Sequence, residues 1–158
     1  MENNEEVSDK TLERVLDLQG FYREDSIDAM TSKPGVYFVF LGLKGDRGCS
    51  IRELIYIGKA ESQGVCNRLQ NHEKMPQFKD ARKRIPGSIL YFAQAECLLD
   101  DVNDVEASLI KYFDPEMNKQ CVESFNSQYD NIRLSLTGAV PVIFANHQNI
   151  NVRPDKEG

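Results

Sequence analysis

The chain of 158 residues has no tryptophan, only two histidines and four cysteines, and each scarcity removes a class of function. Two histidines, His72 and His147, exclude a histidine-rich metal centre. The cysteines, Cys49, Cys66, Cys97 and Cys121, stand 17, 31 and 24 residues apart without a C-x-x-C pair. A zinc site of the usual spacing is therefore not expected, and scattered thiols suit a reducing, cytoplasmic setting. The longest apolar run, Ala139 to Ala145, contains a proline and falls far short of the roughly 18 residues of a membrane span. The first six residues are polar or acidic after Met1, so neither a secretory signal nor a basic transit peptide is expected, and no membrane partner. What the sequence does have is ordinary: 41% hydrophobic and 28% charged residues, which exclude a fibrous or largely disordered chain and fit one compact domain.

The net charge of −6 argues at first against nucleic acid, but its distribution does not. Residues 1–30 hold nine acids and three bases, whereas residues 31–158 balance at sixteen of each. Within them, Lys59 to Arg84 carries seven cations (Lys59, Arg68, Lys74, Lys79, Arg82, Lys83, Arg84) against three acids. Such a stretch can meet phosphates whatever the global charge, or can be a solvated mixed surface.

Element signals follow in order. Val7 to Leu18 reads as a short helix, with Ser8 as cap, Val7 stapled on Leu12, and Leu12, Val15 and Leu16 on one face. Pro34-Gly35 opens a strand over Val36 to Leu41, a glycine-rich turn follows at Gly42 to Gly48, and Leu54 to Ile57 is a second strand. A helix is expected from Gly64, with Val65, Leu69 and Met75 as its apolar positions. Ser88 to Ala95 reads as a third strand, and Asp100 or Asp101 caps a helix running to Phe113, stopped by Pro115. Ile132, Leu134 and Leu136 alternate as a strand, Val142 to Ala145 is another, and the polar tail from Asn149 is expected to be loose. The order implies an α+β fold, a small and mainly antiparallel β-sheet flanked by helices.

Three groupings carry chemistry. In a hairpin without a bulge, centred on Asp46-Arg47, Tyr37 and Tyr56 sit directly opposite on one face, either as a packing pair or as two converging phenols. Arg68 and His72, four apart on a helix, share a face: a phosphate grip and a proton acceptor, or a surface arginine and a partly buried histidine. In the third helix, Val102, Val105, Glu106, Leu109, Ile110 and Phe113 fill the core-facing slots. A carboxylate there needs a partner, either an ion pair with Arg68 or Arg133, or a hard cation such as Mg²⁺ completed by water and a substrate phosphate.

Gly35-Val36-Tyr37, Tyr56-Ile57-Gly58-Lys59, Arg68, His72, Glu106 and Pro115-x-x-Asn118 together resemble the GIY-YIG nuclease family over about residues 34–121. The first motif has valine where the family has isoleucine, and the 18 residues between Tyr37 and Tyr56 make a longer hairpin than is usual there. The resemblance implies a catalytic core at 34–121, with an acidic helical extension at 1–33 and C-terminal strands and tail at 122–158. It implies a metal-dependent endonuclease acting on DNA rather than RNA, with one Mg²⁺ (or Mn²⁺) on Glu106. Arg68 would neutralise the phosphate, Tyr37 would take the proton of the attacking water and pass it to His72, and Tyr56 would position water or phosphate. Gly58 would allow close backbone approach; Lys59, Lys74, Arg82, Lys83 and Arg84 would contact nucleic acid, and Asn118 would shape the site or contact the substrate. Targeting would come from the hairpin tip, the C-terminal strands, a homodimer or a protein partner. A non-cleaving nucleic-acid-binding module on the same scaffold is the alternative. In a third reading the acidic first thirty residues bind a protein partner or mask the basic stretch.

Overall fold

The computed structural model describes residues 10–121 and 124–155. Nine regular elements occur among them: β1 (Thr11–Arg23), β2 (Gly35–Gly45), β3 (Gly48–Ala60), α1 (Val65–Gln70), α2 (Met75–Ala81), β4 (Ile89–Glu96), α3 (Val102–Phe113), β5 (Asn131–Gly138) and β6 (Asn149–Val152). Short 3₁₀ turns join several of them. The fold is α+β, built on a six-stranded sheet of order β3-β2-β4-β1-β5-β6. The sheet is mixed: β1 and β5 run parallel, and the other neighbouring pairs run antiparallel.

Strand β2 explains how one uninterrupted apolar run serves two cores. Val36 to Leu41 is buried throughout. Its alternate side chains separate to opposite faces, as a pleated strand requires. Val36, Phe38 and Phe40 join α3's Val102, Val105 and Leu109 on one side. Tyr37, Val39 and Leu41 join α1's Val65 and Leu69 and α2's Phe78 on the other. A sheet covered on both faces needs such a run rather than a polar alternation.

Several expectations are overturned. Residues 11–23 form a strand and not a helix. Leu12, Leu16 and Leu18 share one parity and are buried, while Val15 is 66% exposed. Leu12 and Leu16 fit a helical stripe with Val15, but Leu18 does not, and a partner strand, β5, is available to satisfy the backbone. Val7 and Ser8 lie outside the described residues. The helix expected from Gly64 is two short ones, because Asn71 leaves helical geometry after α1 and its Nδ2 bonds back to the Asn67 carbonyl. Pro76, in the first turn of α2, has no N–H to continue the ladder. Asp101 caps α3 with no side-chain hydrogen bond; its carboxylate instead accepts from Arg14 Nε at 2.6 Å. Val142 to Phe144 is a 3₁₀ turn begun by Pro141, not a strand. The tail from Asn149 is strand β6, zipped to β5, with Ile150 and Val152 inserted in the core.

Candidate active site

The β2–β3 hairpin places the tyrosines. At its tip Gly45 pairs with Gly48, the register expected for a turn centred on Asp46-Arg47. Two bulges in β3, at Arg52 and Ile55, then shift the ladder twice by one residue. Tyr37 therefore lies opposite Gly58, and Tyr56 opposite Val39, so the direct Tyr37–Tyr56 pairing is corrected to a diagonal one. Two single shifts restore parity, which keeps both rings on the same face. Their centroids are 6.3 Å apart.

These tyrosines line one small cleft, about 170 Å³, with Lys59, Glu61, Gln63, Arg68 and Glu106. Its walls come from β2, β3, the connection after β3, α1 and α3, so residues distant in sequence meet at the β3 edge of the sheet. Tyr37 is fully buried and its hydroxyl has no hydrogen-bond partner. Burial first, and then the neighbouring Tyr56, push its phenol well above the ordinary value; Arg68 pulls the other way.

Glu106 is half-buried and faces the same cleft. Burial raises its carboxyl from 4.5 to about 7, with Lys59 opposing and Glu61 adding to the rise. The two cations that could have neutralised it are engaged elsewhere: Arg68 with Glu73 at 3.0 Å and Arg133 with Glu13 at 3.5 Å. Among the described residues, no cation lies within salt-bridge distance of Glu106. No group of three or more His, Cys, Asp or Glu is placed to hold a metal among those residues. A half-buried carboxylate beside a second one, Glu61, suits the other kind of site, where a hard cation keeps most of its water.

His72 departs from its expected role. It follows α1 in a turn rather than sharing a helix face with Arg68. Its ring meets Tyr37 and Tyr56 edge-on, at 5.8 and 5.5 Å between centroids. Its Nδ1 accepts the Lys74 N–H at 3.0 Å, so the neutral ring carries its proton on Nε2, which is buried without a partner. Burial, helped by Arg68, lowers its pKa from 6.5 to about 4. An imidazole with its lone pair already engaged and its basicity suppressed does not suit the task of taking a proton from Tyr37.

The remaining candidates divide. Gly58 makes room for Tyr37: a β-carbon there would stand 2.3 Å from that ring's Cζ and hydroxyl oxygen. Lys59 lines the cleft and its Nζ donates to the Asn103 carboxamide oxygen. Lys74 lies over the Tyr56 ring at 5.9 Å, outside the cleft lining. Of the two expected roles of Asn118, shaping the site or contacting substrate, its surroundings favour the first. Its buried carboxamide accepts the Ile57 N–H at 2.8 Å and donates to the Ile57 carbonyl at 2.9 Å, clipping the 3₁₀ turn after α3 onto β3. Arg82, Lys83 and Arg84 lie outside the cleft, in a turn after α2. Lys83 pairs with Asp80 and Arg84 with Glu53, and Arg82 lines a separate depression with Glu24 and Asp25. Glu61 and Gln63 escaped the sequence reading. The available signal was Lys59-x-Glu61 at the end of a strand, where period two sends both toward one side.

Comparisons with protein-family models, with curated proteins and with solved structures find no match for this chain. The thiols of Cys49, Cys66 and Cys97 are free, and no described helix is long and apolar enough to cross a membrane.

Proposed function

We propose that the chain is a metal-dependent endonuclease of the GIY-YIG kind, hydrolysing phosphodiester bonds in nucleic acid, DNA rather than RNA. One observation carries this reading: Tyr37, Tyr56, Arg68 and Glu106 line a single cleft in which a buried hydroxyl has no hydrogen-bond partner and, among the described residues, a half-buried carboxylate has no salt bridge. Burial disfavours the charged form of both groups, Tyr37 and Glu106. Both become intelligible if a solvated cation and a phosphate enter.

In this reading Glu106 would hold one Mg²⁺ or Mn²⁺, which would supply positive charge to the phosphate and the leaving oxygen. Arg68 meets a non-bridging phosphate oxygen through its N–H donors. Tyr56 fixes the attacking water or the phosphate by hydrogen bonding. Tyr37, held neutral by its surroundings, orients the water through its oxygen while passing a proton onward. A carboxylate of the cleft lining takes that proton in place of His72, whose ring then serves to wedge the two tyrosines. Lys59 guides the backbone at the rim.

Nicking of supercoiled plasmid tests the proposal. Cleavage with Mg²⁺, none with EDTA, and none from Glu106→Ala at unchanged folding are expected. Turnover by Arg68→Ala should fall roughly 100-fold or more, whereas Arg82→Ala should mainly weaken binding. A parent that binds DNA but never cuts it, with either metal, leaves the binding-module alternative.

A further inference from the structure

Glu73 lies outside the cleft and grips Arg68, which lines it. Its two carboxylate oxygens accept from Nη1 at 3.0 Å and from Nη2 at 3.2 Å, an end-on, two-pronged contact. The arginine side chain, 24% exposed, lines the cleft, and the glutamate, 69% exposed, holds it from outside that lining. The turn that carries Glu73 is fixed from both sides. Lys74 N–H bonds to Nδ1 of the buried His72, and Met75 N–H bonds to the His72 carbonyl. The contact holds the Glu73 carboxyl down at about 2, through the Arg68 hydrogen bond first.

An end-on carboxylate uses one N–H of each terminal nitrogen. It leaves Nε–H and the second N–H of each terminal nitrogen unengaged by that partner. We propose that Glu73 is a positioning residue that fixes Arg68 by its end so that its side edge meets a phosphodiester oxygen, and that it stays engaged when the phosphate is bound. The proposal rests on the phosphodiesterase reading of the cleft.

Two consequences oppose each other, and this separates positioning from mere structural support. The Glu73 charge repels a polyanion, so removing it strengthens attraction for DNA. Removing it also releases the guanidinium from its orientation, so the reaction slows. Glu73→Ala should therefore bind duplex DNA in EDTA roughly 2–5-fold more tightly, yet turn over about 10-fold more slowly with Mg²⁺. Glu73→Gln, which keeps one acceptor, should fall between parent and Ala in turnover. In an Arg68→Ala background, Glu73→Ala should cause no further loss of turnover. Unchanged turnover in Glu73→Ala, or affinity and turnover falling together, would overturn the proposal. Side-chain nitrogen NMR of Arg68 decides the matter apart from catalysis. Slow rotation of its terminal nitrogens should persist when duplex DNA is added in EDTA. Rapid rotation on addition means that phosphate displaces Glu73, and the positioning role is lost. A parent that binds DNA without cutting, with Arg68 still held, sinks the nuclease reading alone; a parent that neither binds nor cuts sinks both.

Discussion

Gly58 and Tyr37 face each other across the β2–β3 ladder so closely that the tyrosine ring lies where a β-carbon of residue 58 would be. The neighbour that must give way is a fully buried ring, not the end of a flexible side chain. Gly58→Ala should therefore displace the phenol from the cleft. A loss of about 1–3 kcal/mol in stability is expected from overpacking, with cleavage falling further than stability explains. Urea denaturation beside nicking rates checks both, and an alanine variant with parental rates would show that the ring's position is not critical.

Tyr37→Phe separates function from stability. The hydroxyl is buried and unpartnered, so its removal should cost the fold nothing and stabilise it by about 1 kcal/mol. Cleavage should drop at least about 100-fold. A destabilised variant would mean that the hydroxyl has a partner, such as a bound water, in solution.

Glu106 sets a pH dependence whose sign is opposite to that of most carboxylates. Its pKa is raised in the folded state from 4.5 to about 7. Between these values the unfolded chain has released the proton that the folded chain retains. Stability contributed by this group is thus full below 4.5 and is lost as pH rises through 7. In EDTA, Glu106→Gln should be more stable than the parent by about 1–2 kcal/mol at pH 8 and equal to it near pH 4. Mg²⁺ should raise the parent's melting temperature and leave the variant's unmoved. Parallel pH curves for the two proteins would refute the assignment.

Asn118 should behave as a clip. Asn118→Ala leaves both main-chain groups of Ile57 without their partners inside the protein. A stability loss of about 2–4 kcal/mol is expected from two lost buried hydrogen bonds. At a temperature where the variant stays folded, its DNA affinity should match the parent's. Weaker binding by the folded variant would return Asn118 to the substrate.

Much of the core and site was legible because it rests on local pattern. The apolar run of β2, the amphipathic stripe of α3 and the parity shared by Tyr37 and Tyr56 need no knowledge of distant partners. The bulges at Arg52 and Ile55 left that parity intact because two slips cancel. What stayed hidden depended on main-chain partners far away. Leu12 and Leu16 fit a helix with Val15 or a strand with Leu18, and the choice was made by β5. His72 looked like a base until the Lys74 N–H occupied its Nδ1. Asn118 could shape the site or touch substrate, and the choice lay with a partner, Ile57, 61 residues back along the chain. Arg82, Lys83 and Arg84 formed a basic block on paper, yet two of the three are engaged with acids outside the cleft.

The parallel seam joining Thr11–Leu18 to Asn131–Gly138 has a temporal meaning. Thr11 and its partner Asn131 are separated by 120 residues of chain, so this seam closes a long loop. Closure of the sheet is therefore a late, long-loop event. It also means that Thr11–Arg23 is no detachable sleeve: excising it would remove a strand from between β4 and β5 and divide the sheet in two.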